Sequence, residues 1–281
     1  MQFLIFSIIC SVAVSILLKL SKKQGIAIDQ AVAINYPTAA ICTLLLFKPN
    51  LSQNIHALLP YWKFLLPLSI LMPTVFIIMG ECVKQAGIAK SDAAQRLSLF
   101  LPIVAAFLIF DETLNAGKIV GVCLAIVSLL ALVYKPSNKS QDKNAMLILL
   151  GVWLGYGIID ILFKQLSKNS TLTTTYLFTL FIAAGVLMFA YLIARKSKWT
   201  KASIVGGLIL GCLNFGNIYF YFRAHQAYHN NPTLVFAAMN LGVITLGTII
   251  GTVAFREKIN RINMLGIALA MIAIVCLFYM K

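Results

Sequence analysis

The chain has 281 residues, 60% of them hydrophobic and 11% charged, where a soluble globular protein averages about 45–50% apolar and about 25% charged. One core of this length cannot hide that apolar share, which excludes an ordinary soluble domain and calls for a bilayer as part of the solvent. The net charge of +15 does not point to nucleic acid, because the Lys and Arg residues stand in small groups between long apolar runs, the pattern of loop charge that orients a membrane protein.

The first apolar run, 2–20, has no basic stretch ahead of it, is followed by Lys22 and Lys23, and shows no small-x-small cleavage site. It reads as a first span and not as a secretory signal. Further runs follow at 30–48, 63–83, 92–110, 116–134, 146–164, 172–194, 203–224, 232–254 and 262–280, each near the roughly 20 residues that a helical span needs. The period-two alternation of a transmembrane barrel is absent. The expectation is an all-α integral membrane protein of ten transmembrane helices, since lipid offers no partners to unpaired backbone groups. The six cysteines all fall inside apolar runs, with neither CxxC spacing nor a His cluster beside them, and read as small hydrophobes. No metal and no cofactor are expected. Of the Lys and Arg residues, 16 lie after odd-numbered spans and seven on the other side, which places both termini outside a cytoplasmic (inner) membrane.

Sliding the chain against itself by 145 residues pairs Lys19 with Lys164, Lys23 with Lys168, Ala39 with Ala184, Glu112 with Glu257, Asn115 with Asn260, Gly121 with Gly266 and Leu132 with Leu277. Lys, Glu and Asn are scarce in membrane spans, so their pairing weighs more than that of the apolar residues. The reading is two five-helix repeats, 1–140 and 141–281. Five is odd, so the second repeat starts on the opposite side of the membrane and the repeats are inverted, the architecture of alternating access to a midplane site.

The paired segments "LPIVAAFLIFDETLNAGKIVGVCLAIVSLLAL" and "GVITLGTIIGTVAFREKINRINMLGIALAMIAIVCL", with the openings "SVAVSILLKL" and "GYGIIDILFKQ", resemble the drug/metabolite transporter superfamily in its ten-helix form of two EamA-type domains. The resemblance covers nearly the whole chain. It implies a transporter of amino acids, other metabolites or drugs, with a central cavity enclosed by the first, third, fourth, sixth, eighth and ninth helices, so that Ser11 and Ser15 border it. One departure stands out. The fourth helix carries Pro102, whereas the equivalent place in the second half is Gly247.

An ionisable group in a span costs at least about 2.5 kcal/mol at the bilayer centre, so each needs a partner, a cavity or an interface. Trp153, Tyr156, Asp160 and Lys164 share one face of the sixth helix. Asp160 either binds a substrate amine or carries a coupling proton, or else pairs with Lys164 one turn on. Asn214, Asn217 and Tyr221 in the eighth helix either hydrogen-bond a polar solute or bond between helices. Arg223 suits a carboxylate or phosphate, with snorkelling as the competing role. His225 and His229 fall near the helix end, where exposed histidines of no functional consequence are expected. Glu81 is a second candidate for proton coupling, or an ion-pair partner of Lys84 or Lys90. Gln95 and Asn240 are equivalent amides expected to face the cavity. Ser7, Ser11 and Ser15 form a small-residue stripe. Glu112 and Glu257 stand ahead of the fifth and tenth helices, where a carboxylate favours the positive helix end.

No Walker motif, HExxH or GxSxG occurs. The expectation is therefore a non-enzymatic secondary transporter of small organic metabolites such as amino acids, in the export direction, either proton-coupled or passive, acting as a monomer or homodimer with a solute and membrane lipid as its partners. Two alternatives stay open: a lipid or lipid-linked carrier flippase, and a non-transport membrane assembly subunit.

Overall fold

Helix is the only regular secondary structure among the described residues of the computed structural model, which are 1–21, 24–49, 56–86, 94–112, 115–133, 143–168, 172–255 and 261–279. In chain order the helices are α1 (Gln2–Ser21), α2 (Ile28–Phe47), a 3-10 turn (His56–Tyr61) leading into α3 (Trp62–Ala86), α4 (Phe100–Leu108), α5 (Ala116–Val133), α6 (Lys143–Ser167), α7 (Thr173–Ala194), α8 (Lys201–Ala227), α9 (Pro232–Phe255) and α10 (Arg261–Tyr279). Six segments, in α2, α3, α6, α7, α8 and α9, are long and apolar enough to cross a membrane; the apolar stretches Gln2–Leu18, Ala94–Leu108, Ala116–Ala131 and Met264–Leu277 are shorter. By length and composition this is a multi-pass membrane protein. Large apolar side chains such as Leu45, Leu108, Ile193 and Val253 stand exposed, as a lipid-facing surface requires and as soluble surfaces avoid in quantity.

The chain divides into two compact units. The first comprises Met1–Ile77 and Leu162–Gln226, and the second Ile78–Ile161 and Ala227–Lys281, so the division passes through α3 and α6 and each unit draws on both halves of the sequence.

In the first unit α2 packs along α7 and α8, and glycines set the approach. A Cβ on Gly185 of α7 would lie 3.3 Å from Tyr36 Cβ, and one on Gly211 of α8 would lie 2.4 Å from Thr38 Cβ and 2.8 Å from the Asn35 carbonyl oxygen. Gly207, one turn earlier, meets Ile34 and the Ala31 carbonyl in the same way. Small residues at i and i+4 let two backbones come this close. In the second unit α5 and α10 run antiparallel: a Cβ on Gly121 would collide with Leu277, and Ser128 Oγ donates to the Gly266 carbonyl at 2.8 Å.

Pro102 and Gly247 differ in effect. Pro102 has no N–H to give, so the Ser98 carbonyl takes the Leu101 N–H at 3.0 Å instead. The helical turn at 94–97 is thereby separated from α4 by a break at 98–99. Around Gly247, α9 is continuous from Pro232 to Phe255.

Candidate functional site

The polar residues that sequence periodicity groups together fall into separate surroundings. Three of them, Trp153, Tyr156 and Asp160, lie in the second unit, on the part of α6 that packs against the end of α3 and the segment around 94–101. Trp153 Nε1 donates to the Leu97 carbonyl at 2.9 Å. Tyr156 packs against Cys82, Ala94 and Val152. A Cβ on Gly157 would stand 2.5 Å from Leu101 Cδ1, so α6 rests directly on the chain at the proline break. Glu81 precedes Cys82 and Gln95 follows Ala94, both half-buried, as is Asp160. The amide equivalent to Gln95, Asn240, donates to the Phe236 carbonyl of its own helix at 3.1 Å. The proposed ion-pair partner Lys90 and the turn at 87–92 lie outside the described residues, as does Glu257.

The remaining candidates belong to the first unit and occupy two faces of α8. Toward α1, Ser7 Oγ lies 2.9 Å from both the backbone and side-chain oxygens of Asn217, Phe220 stacks near Phe3 and Phe6, and the Arg223 guanidinium sits 5.3 Å over the Phe3 ring. Arg223 Nη1 reaches Gln226 Oε1 at 3.5 Å, while its Nε is buried and finds no hydrogen-bond acceptor among the described residues. Toward α6, Tyr221 meets Phe163 edge-on and His225 at a ring separation of 4.6 Å, and Lys164 Nζ lies 3.4 Å from the His225 carbonyl oxygen. Asn214, earlier on α8, is half-buried.

Several expectations change here. His225 is fully buried, where an exposed position was expected, because α6 covers the last turn of α8; His229 is exposed. Lys164 is 2% exposed and lies at the carbonyl end of α8, where a cation meets the negative pole of the helix. Of the α1 serines, Ser7 makes the contact to α8, whereas Ser11 is half-buried and Ser15 is exposed, its hydroxyl turned back to the Ser11 carbonyl at 3.1 Å. A four-residue repeat marks the shared face of the serines; it carries no information about which of them meets a partner.

Glu112 serves a different helix from the one expected. Asp111 takes φ 53°, a conformation that Asp tolerates, and the chain delivers Glu112 to the start of α9, where Oε2 accepts the Thr233 N–H at 3.0 Å and the Thr233 hydroxyl at 2.8 Å. Its other oxygen pairs with Lys118 Nζ at 3.1 Å, both groups buried. Lys118 was invisible in the sequence because a spacing of six residues follows neither helical period.

No family model matches the chain. A Haemophilus influenzae protein described as uncharacterized is 51% identical over 286 positions, which span 100% of this chain and 98% of its own. A solved crystal structure superposes on 98% of this chain and 94% of its own with a TM-score of 0.73 at 12% identity. At that identity the likeness concerns the fold alone.

Proposed function

This chain belongs to the same family as that Haemophilus influenzae protein, and we propose that it is a secondary transporter moving a small organic solute by alternating access between two inverted five-helix repeats, residues 1–140 and 141–281. The observation that carries this reading is the packing of equivalent helices on each other. Under the 145-residue offset α2 answers to α7 and α5 to α10. In the first unit Gly185 of α7 meets Tyr36 and Pro37 of α2, with the equivalent Ala39 and Ala184 both fully buried. In the second unit Gly121 meets Leu277 while Ser128 bonds to Gly266, the counterpart of Gly121. Helices that lie next to a two-fold axis between inverted repeats meet their own equivalents, and these contacts have that form.

Polar groups held within apolar helices support a solute path over an inert scaffold, since each one is costly in lipid. On this reading Asp160 binds an amine or carries a coupling proton, and Trp153 and Tyr156 supply the aromatic wall beside it. Amino acids and related metabolites carry such an amine. All ten helices cross a cytoplasmic membrane, both termini are outside, and export is the working direction.

Ligand-dependent thermal unfolding of the purified protein tests the substrate class. A ligand at about 100 times its Kd stabilises the folded state by about 2.7 kcal/mol. Amino acids are expected to raise the Tm of the wild type, with the shift lost in Asp160→Asn. A full shift in that variant would remove Asp160 from the site.

A further inference from the structure

Two cysteines from distant parts of the sequence meet in the first unit: Cys42 Sγ of α2 and Cys212 Sγ of α8 lie 3.9 Å apart. Their meeting is a product of the glycine crossing. Ile34, Thr38 and Cys42 follow each other at four-residue intervals on α2, and the first two cover Gly207 and Gly211 of α8 so closely that no Cβ fits between the helices. Cys212 is the next residue after Gly211, so the third position of the α2 stripe arrives at a thiol. Both helices run in the same direction here, because contacts advance together from Ile34 with Gly207, to Thr38 with Gly211, to Phe47 with Tyr219. The thiols are also accessible: Cys212 is exposed and Cys42 half-buried, whereas Cys82 of the second unit is fully buried.

We propose that Cys42 and Cys212 are a redox site, closing reversibly to a disulfide that ties α2 to α8. The sulfur atoms need to approach by about 2 Å to reach a bonding distance near 2.05 Å. Both thiols lie on apolar spans, so the oxidant that reaches them is a small membrane-permeant two-electron acceptor such as a diazenedicarboxamide. One thiol adds to its N=N bond and the second sulfur displaces the resulting hydrazide; the S–S bond forms, both S–H bonds break, and the two protons and two electrons leave on the hydrazine. An external dithiol reverses the step by exchange. The site is independent of what the chain transports.

The test uses the full-length protein in lipid nanodiscs, treated with diazenedicarboxamide, alkylated with a maleimide under denaturing conditions, digested and read by mass spectrometry. The sequence holds six cysteines, all free. Oxidation is expected to remove two of the six alkylated thiols, to join the peptides containing residues 42 and 212, and to reverse with dithiothreitol. Cys42→Ser and Cys212→Ser should each retain five alkylated thiols after the same treatment. A chain keeping Cys42 and Cys212 alone, the other four replaced by Ala, should still close. Cys10 of α1 is the internal control, since it too packs against α8, its Sγ 3.0 Å from where a Cβ on Gly216 would stand. Six alkylated thiols after oxidation, or a bond from Cys212 to Cys10 in place of Cys42, would overturn the proposal.

Discussion

Glu112 and Lys118 form a buried ion pair whose carboxylate also holds the first turn of α9 through the Thr233 N–H and hydroxyl. Removing one partner of a buried pair leaves the other charge without compensation, a loss of about 3–5 kcal/mol. Glu112→Gln is therefore expected to lower the unfolding free energy by that order in mixed detergent micelles, and Glu112→Gln combined with Lys118→Met to recover part of it; equal stability of Glu112→Gln and wild type would contradict the pairing. The sequence made Glu112 noticeable through its duplication with Glu257, but the helix end it caps lies 121 residues onward, beyond any local pattern. Lys164 gives the same lesson. Its four-residue spacing from Asp160 suggested an ion pair within α6, yet the structure also brings its ammonium to the carbonyl end of α8, a contact that only tertiary packing creates.

At the scale of elements, glycines with the same chemistry have opposite expected effects. Gly211→Ala places a methyl group 2.4 Å from Thr38 Cβ and 2.8 Å from a backbone oxygen, and backbone cannot rotate away. Overpacking of this kind costs about 1–3 kcal/mol. Gly247→Ala meets nothing within 4 Å and sits inside the continuous α9, where Ala is favoured over Gly by up to about 1 kcal/mol. Thermal unfolding of the two variants should move the Tm in opposite directions; a destabilised Gly247→Ala would show that α9 needs flexibility there. The positions of the helices were legible from apolar run length; the break ahead of α4 goes with Pro102, whose missing N–H acts locally. The helix neighbours were not legible. The choice of α8 against α2 rests on shape matching between residues about 170 positions apart.

The whole molecule has a topology that the distribution of Lys and Arg makes testable. On the proposed topology, with both termini outside, an alkaline phosphatase fused after Lys281 is expected to be active and a green fluorescent protein at the same place dark, whereas fusions in the loop after α7, at Lys198, should behave in the reverse way. The same fluorescence at both sites would reject an odd number of spans between them. Of the candidate site, the sequence supplied the residue types, since polar groups in lipid are rare enough to notice. It did not separate Trp153 and Tyr156, which face the chain near the Pro102 break, from Tyr221 and His225, which face the end of α6, because helical periodicity assigns a face without saying what covers it. Counterflow in proteoliposomes tests the central claim most directly: vesicles holding wild-type protein are preloaded with one unlabelled class at a time, amino acids, organic acids, nucleosides or sugar phosphates, and entry of labelled solute is followed alongside Asp160→Asn. The transporter reading expects transient accumulation with amino acids or a related class and its loss in the variant. No accumulation with any class, from protein shown to be folded and inserted, would contradict it and leave a lipid flippase or a non-transport role.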